Sequence, residues 1–243
     1  MTVLYEDNHI IIVSKEPGEI VQGDKTGDVP LSDMVKQYIK ERYAKPGAVF
    51  LGVVHRLDRP VSGIVVFART SKALSRLNQM FASHEAVKKT YWALAPLAPT
   101  MSAVPSPTLD PLRLEHWLTR NEKQNKAYAY PIDGMTADQA QQRGAKRASL
   151  DVRSLAEGDR YQLLEVQLHT GRHHQIRCQL AAIGLPIKGD LKYGAPRSNP
   201  DGSISLHARS IEFEHPVSHK SILITAPCPL DPLWHILEQK VAK

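Results

Sequence analysis

The stretch that most limits what this chain can fold into is Leu51 to Thr70, LGVVHRLDRPVSGIVVFART, in which two apolar runs enclose the polar turn His55-Arg56-Leu57-Asp58-Arg59-Pro60. Val53-Val54 and Ile64-Val65-Val66-Phe67 are rich in β-branched residues and predict buried strands, while Pro60, Ser62 and Gly63 supply the breaker chemistry between them. A carboxylate, Asp58, is thereby held on a connection between two rigid elements. Read alone, an Asp before Arg-Pro is a turn former, because Asp side chains commonly bond nearby backbone. Its neighbours add a second reading. Arg56 and Arg59 place two permanent cations beside it, which favour the ionised carboxylate and keep it available as a nucleophile at neutral pH.

Composition bounds the class. With 243 residues, 42% hydrophobic and 23% charged, the chain reads as a globular protein with enough apolar content for one large core or two small ones. A formal net charge of +6 suits a polyanionic partner without identifying one. Cys178 and Cys228 stand in unrelated contexts, which excludes a disulfide framework and a four-cysteine zinc site. No stretch approaches the length of a transmembrane helix and no basic-then-apolar leader opens the sequence, so a cytoplasmic protein is expected, with no membrane partner.

Along the chain, Ile10 to Val13 predicts a strand that turns at Lys15-Glu16-Pro17-Gly18. Lys15 reads either as a phosphate contact or as a solvated surface lysine. Leu31-Ser32-Asp33 opens a helix through Arg42, with Val35, Tyr38 and Ile39 at helical spacing. Thr70-Ser71 caps a second helix, carrying His84, whose Leu74, Leu77, Met80 and Phe81 form an apolar stripe. Val87 to Ala95 returns to strand composition. Pro96, Pro99, Pro105, Pro107 and Pro111 then mark a long loop. Beyond it, Leu112 to Tyr130 interleaves Arg113, His116, Arg120, Lys123 and Lys126 with Trp117, Tyr128 and Tyr130, as an RNA groove or a solvated insertion would. Arg147 to Leu155 and Tyr161 to His169 predict a hairpin about Glu157-Gly158-Asp159, its second strand alternating Leu164, Val166 and Leu168 with Glu165 and Gln167. A helix is expected from Arg172 to Ile183, with His173 and His174 four and three residues before Arg177, followed by a strand at Ile204 to Phe213, the SILITAP strand and a helix started by Asp231.

Several of these stretches resemble one family. HRLDRPVSGIVVFAR looks like the active-site signature of the RluA family of pseudouridine synthases, HRLDxxTSG followed by an apolar strand, with Val61 where the family most often has Thr. LHTGRHHQIRCQLAAIGLPIKGDLKYGA resembles the family's TGRxHQIRxHLxxIGxPIxGDxxYG almost position by position. Lys89-Thr90-Tyr91-Trp92-Ala93 matches its Lys-x-Tyr-x-Ala strand, and Leu206-His207-Ala208 before His215-Pro216 its final strand. The opening strand and turn resemble its Asn-Lys-Pro-x-Gly motif, with Pro17 one position late.

The resemblance implies an α+β chain with the pseudouridine synthase fold: a mixed, largely antiparallel sheet, flanking helices and a central active-site cleft. It implies one catalytic domain over residues 1–243, with a Pro-rich and basic insertion around 96–147 and no S4-type RNA-binding module. Carried over residue by residue, it makes Asp58 the catalytic carboxylate, Tyr91 the ring packed on the target base, and Arg177 the partner of the catalytic Asp. Arg56, Leu57, Arg59, Arg172, His174 and Leu206 are then expected to meet the substrate. The implied reaction is isomerisation of uridine to pseudouridine in structured RNA, tRNA or rRNA, by a monomer with no obligatory protein partner, no cofactor and no metal. The competing class is a catalytically silent RNA-binding or chaperone module on the same fold. A metal-dependent hydrolase using His169, His173 and His174 is more distant, since a catalytic zinc usually needs a third ligand and the helix lacks His-Glu-x-x-His.

Overall fold

The computed structural model describes residues 1–83, 86–97, 104 and 110–241. His84 and most of the Pro-rich loop expected from Pro96 to Pro111 lie outside the described residues. In chain order the strands and helices are β1 (Thr2–Glu6), β2 (Ile10–Lys15), α1 (Leu31–Arg42), β3 (Gly52–Val53), β4 (Ser62–Ala68), α2 (Ser71–Ser83) and β5 (Val87–Pro96). There follow β6 (Leu112–Asn121), β7 (Lys126–Pro131), α3 (Ala137–Gln142), β8 (Lys146–Glu157), β9 (Tyr161–Leu168), α4 (Gln175–Ala182), β10 (Leu206–Glu214), β11 (Ser221–Thr225) and α5 (Pro232–Val241). The class is α+β with largely antiparallel strands, and the chain divides into two compact units.

The first unit comprises Met1–Lys89 and Ala208–Pro227. β2 pairs antiparallel with β1 and β4, β4 also with the short β3, and β10 with β11. β2 and β4 are buried throughout, which is why each reads as an unbroken apolar run instead of an alternation. One of their faces, Ile11, Val13, Val65 and Phe67, packs on Leu31, Val35 and Ile39 of α1, each fully or almost fully buried. Every such side chain contributes about 1.5–3 kcal/mol relative to exposure. The second helix is N-capped by Thr70, whose Oγ1 accepts from Ala73 N at 3.2 Å. Of its expected stripe, Leu77 is buried together with Ala73, while Met80 and Phe81 keep partial exposure. Gly63 is required where it stands: with φ +108° and the Ala208 carbonyl oxygen 2.4 Å from where a Cβ would be, no side chain fits.

The second unit comprises Thr90–His207 and Cys228–Lys243. Its strands run in the order β5-β9-β8-β6-β7, with β9-β8, β8-β6 and β6-β7 antiparallel. On one side Trp92, Leu94 and Leu163 bury Trp234 and Leu237 of α5. That helix is opened by Asp231, whose Oδ1 accepts from Leu233 N at 2.9 Å, and is tied down by Lys240 Nζ donating to the Glu157 carbonyl at 2.7 Å. Another cluster joins Leu118, Ala127 and Ala148 to Cys178 and Tyr193. The segment from Leu112, read from sequence as basic residues interleaved with aromatics and given no strands, is a β-hairpin continued by α3, whose Thr136 and Gln139 form a capping box.

Candidate active site

In the first unit the Asp58 turn is built by three backbone clamps. Val61 N donates to the Asp58 carbonyl at 3.0 Å, closing a turn at Asp58-Arg59-Pro60-Val61. The next carbonyl, that of Arg59, accepts both Gly18 N at 2.8 Å and the ammonium of Lys15 at 3.0 Å. Gly18 reaches it with φ +87°, a conformation that glycine adopts without steric cost. Lys15 is 0% exposed, so neither sequence reading of it holds: its ammonium is neither solvated nor free for phosphate, and donates also to the Glu16 carbonyl at 2.9 Å. Burial pushes its pKa down to about 8, against the opposing pull of Glu19, Asp58 and Glu16. Within this unit the buried cation that senses the Asp58 carboxylate is therefore Lys15.

The two arginines of the motif have other engagements. Arg59 gives Nη1 to Asp28 at 2.7 Å and Nη2 to Thr26 at 2.9 Å, and Asp24 lies 3.8 Å away. Arg56, exposed, donates to Gln22 at 3.3 Å. Leu57 packs against the Ile11, Val13 and Leu31 cluster, which anchors the loop in the core. His55 holds the other flank. Its Nε2 accepts from Val66 N at 3.0 Å and its ring stacks on Phe81 at 4.9 Å between centroids. Burial, helped by the positive charge of Lys89, pushes its pKa down to about 3, so the imidazole is neutral with its proton on Nδ1. Lys89, itself 8% exposed, lies with Nζ 5.7 Å from the Phe81 ring, and burial lowers its pKa.

In the second unit Tyr91 on β5 is 9% exposed and Leu206 at the head of β10 is 4% exposed. Arg177 on α4 is gripped in its own unit by Asp190: Nε donates to Oδ2 at 2.7 Å and Nη2 to Oδ1 at 2.9 Å, a bidentate pair whose side chains are 7% and 1% exposed. The guanidinium also lies over the Tyr193 ring, 5.1 Å from its centroid. Sequence reasoning assigned nothing to Asp190 or Tyr193, although Lys188-Gly189-Asp190 and Tyr193-Gly194 belong to the second motif.

The helix expected from Arg172 begins three residues later, at Gln175. The Gln175 side chain accepts from Arg172 N at 3.0 Å and Thr170 Oγ1 at 2.8 Å and donates to the Ser149 carbonyl at 3.1 Å, holding residues 170–174 in a turn. His174 is left-handed at φ +51°, so helical spacing does not relate His173 and His174 to Arg177. Instead, His174, 7% exposed, meets the Tyr193 hydroxyl through Nδ1 at 2.9 Å and stacks on His173 at 3.9 Å. The Tyr193 hydroxyl in turn accepts from Ala127 N at 2.8 Å. Arg172 reaches the Arg147 carbonyl at 3.3 Å, and His169 is paired with Asp151 at 2.6 Å.

The model of the RNA pseudouridylate synthase family matches residues 9–182. The chain is 31% identical over 245 aligned residues to a ribosomal large subunit pseudouridine synthase D of Xanthomonas campestris pv. campestris, covering 95% of this chain and 67% of that protein. It is 29% identical to a tRNA pseudouridine synthase C of Pectobacterium carotovorum, covering 93% of this chain and 58% of that one. In fold it matches human RNA pseudouridylate synthase domain containing 4 with a TM-score of 0.74 at 21% identity, over 99% of this chain and 93% of the other. The chain belongs to the RNA pseudouridylate synthase family. The family read from the HRLD and TGRHHQIR stretches is therefore the right one, and its fold is the pseudouridine synthase fold.

Proposed function

We propose that this chain isomerises uridine to pseudouridine at specific positions of a structured RNA, tRNA or rRNA, with Asp58 as the catalytic carboxylate. The observation that carries this reading is the Asp58 turn, whose Arg59 carbonyl is clamped by a buried ammonium and a backbone amide. Catalysis needs such preorganisation; binding to phosphates does not, which disfavours the silent module. In the reaction the N1–C1′ bond breaks, the uracil turns, C5 bonds to C1′ and the C5 proton is lost while N1 gains one. Substrate and product are isomers, so the chemistry balances without oxidant, reductant or cofactor.

On this reading Tyr91 supports the flipped base, Leu206 supplies an apolar wall, and Arg177, oriented by Asp190, contributes fixed positive charge. Arg56, Arg59, Arg172 and His174 meet the substrate RNA, with Arg59 exchanging the Asp28 carboxylate for a phosphate. Residues 1–243 act as one catalytic domain in which the 96–147 insertion contributes to substrate choice, working in the cytoplasm as a monomer. No described helix is long and apolar enough to cross a membrane.

The test is site-resolved pseudouridine content of tRNA and rRNA transcripts, and of native cell RNA, after incubation with wild type or Asp58→Ala in chelator. Pseudouridine formed by wild type and absent with Asp58→Ala supports the reading and names the RNA. If neither protein forms it on any RNA while both bind equally, the silent module replaces it. RNA cleaved without pseudouridine, and only when chelator is left out, would instead favour the metal-dependent hydrolase.

A further inference from the structure

The β6-β7 hairpin separates its residues sharply. Ala127 and Leu118 are buried and Ala129 packs against the same cluster with Cys178 and Tyr193, so that side of the hairpin is consumed by the core. The register places Trp117 opposite Tyr130, Thr119 opposite Tyr128 and Asn121 opposite Lys126, and Trp117 opposite Arg147 of β8. Because strand side chains alternate faces, Trp117, Tyr128, Tyr130 and Arg147 share the side turned away from that cluster, whereas Arg120, opposite Ala127, and Lys146, opposite Leu118, stand on the other. Strand β7, Lys126-Ala127-Tyr128-Ala129-Tyr130, thus turns its alanines inward and its tyrosines outward, and it closes the strand order of its unit. Tyr128 is 37% exposed, and Arg147 has 60% of its side chain exposed while its Nη2 donates to the Glu115 carboxylate oxygens at 2.8 and 3.0 Å.

Cations gather at the tip. Lys123 and Lys192 are exposed, and Lys192 donates to the turn carbonyls of Gln124 and Asn125 at 3.1 Å each, which fixes it beside the hairpin. Lys126 Nζ lies between two rings, 5.5 Å from the Tyr128 centroid and 5.3 Å from that of Tyr193. Residues two apart on a strand repeat at about 6.8 Å, twice the roughly 3.4 Å stacking repeat of a nucleic-acid strand, so successive tyrosines can receive alternate bases.

We infer that this hairpin, with the start of β8, is a docking surface for a single-stranded stretch of the substrate RNA. Tyr128 and Tyr130 meet bases while Lys123 and Lys192 meet phosphates and Arg147 exchanges the Glu115 carboxylate for one. The cations match a polyanion, and the rings select single strands, since an A-form duplex keeps its bases inside the stack. The inference rests on the RNA reading proposed above and adds the part of the RNA that is held and the residues that hold it.

The test measures binding of an unstructured RNA oligonucleotide and a duplex of matched charge to the full chain over a series of salt concentrations. Tyr128→Ala/Tyr130→Ala should weaken the single strand by about 10- to 100-fold with an unchanged salt slope. Tyr128→Phe/Tyr130→Phe should bind as wild type. Lys123→Gln/Arg147→Gln should flatten the salt slope by about 1.4. The inference is overturned if the alanine pair, melting like wild type, binds the single strand unchanged, or if it loses duplex and single strand equally. If the alanine pair unfolds, Lys123→Gln/Arg147→Gln decides: an unchanged salt slope overturns the inference. Pseudouridine formation is scored in parallel. Tyrosine-dependent binding by a wild type that modifies nothing sinks the isomerase and leaves the docking surface, whereas undiminished modification and binding by the alanine pair sinks the surface alone.

Discussion

Replacing Lys15 by Met should separate stability from activity. Lys15 donates two charge-assisted hydrogen bonds, to the Glu16 and Arg59 carbonyls, from a position with no solvent exposure. Each is worth about 1.5–3 kcal/mol. Against them stands the cost of burying the ammonium, and a pKa lowered from 10.5 to about 8 puts that opposing cost at roughly 3 kcal/mol. Two such bonds total about 3–6 kcal/mol and Met retains the packed stem, so Lys15→Met should lower unfolding free energy by about 0–3 kcal/mol. Activity should respond differently. The Arg59 carbonyl keeps only the Gly18 amide, and slack of about 1 Å in a turn that positions a catalytic carboxylate costs on the order of 100-fold in rate.

The pH dependence carries the same signature. Above about pH 8 native Lys15 gives up its proton while the unfolded chain holds one until about 10.5, so stability rises between those values as the buried-charge penalty is relieved. Activity should fall over the same window, as the turn loses its cation. In Lys15→Met both trends vanish. Urea unfolding and single-turnover pseudouridine formation, followed from roughly pH 7 to 10, check this. Wild-type turnover by Lys15→Met, or a loss of stability of about 4 kcal/mol in step with the loss of activity, would refute the reasoning.

Asp190→Asn replaces one acceptor of the bidentate Arg177 pair by an amide NH2 that faces the guanidinium, and should cost about 3–5 kcal/mol in urea unfolding, with activity lost even where the protein remains folded. His55 is neutral in the fold and titrates near 6.5 when unfolded, so its contribution is complete above pH 6.5 and is lost as pH falls toward 3, by about 1.4 kcal/mol per unit. His55→Gln should flatten that acid limb in thermal melts taken across the window.

The strands and helices were legible wherever one physical signal dominated. Ile10–Val13 and Ile64–Phe67 are buried on both faces and read as continuous β-branched runs; Val35 and Ile39 repeat at helical spacing because only one side of α1 meets the core. The start of α4 was misplaced because Gln175, an ordinary helix former, uses its side chain to fasten the residues before it. The hairpin at Leu112–Pro131 escaped notice because its inward residues on β7 are alanines, too small to print an apolar alternation.

By itself the sequence determined the family, the place of Asp58 between two strands, and the motifs that carry Tyr91 and Arg177, because short-range patterning and local spacing are written in neighbouring residues. Only the tertiary structure decided what holds those groups. Lys15 and Arg59 are 44 residues apart and Arg177 and Asp190 are 13 apart, and no local rule brings either pair together. Nor does the residue type say whether a lysine is solvated or fully buried. That depends on which strands pack around it, and so Lys15, which looked like a surface cation, is an internal brace of the Asp58 turn.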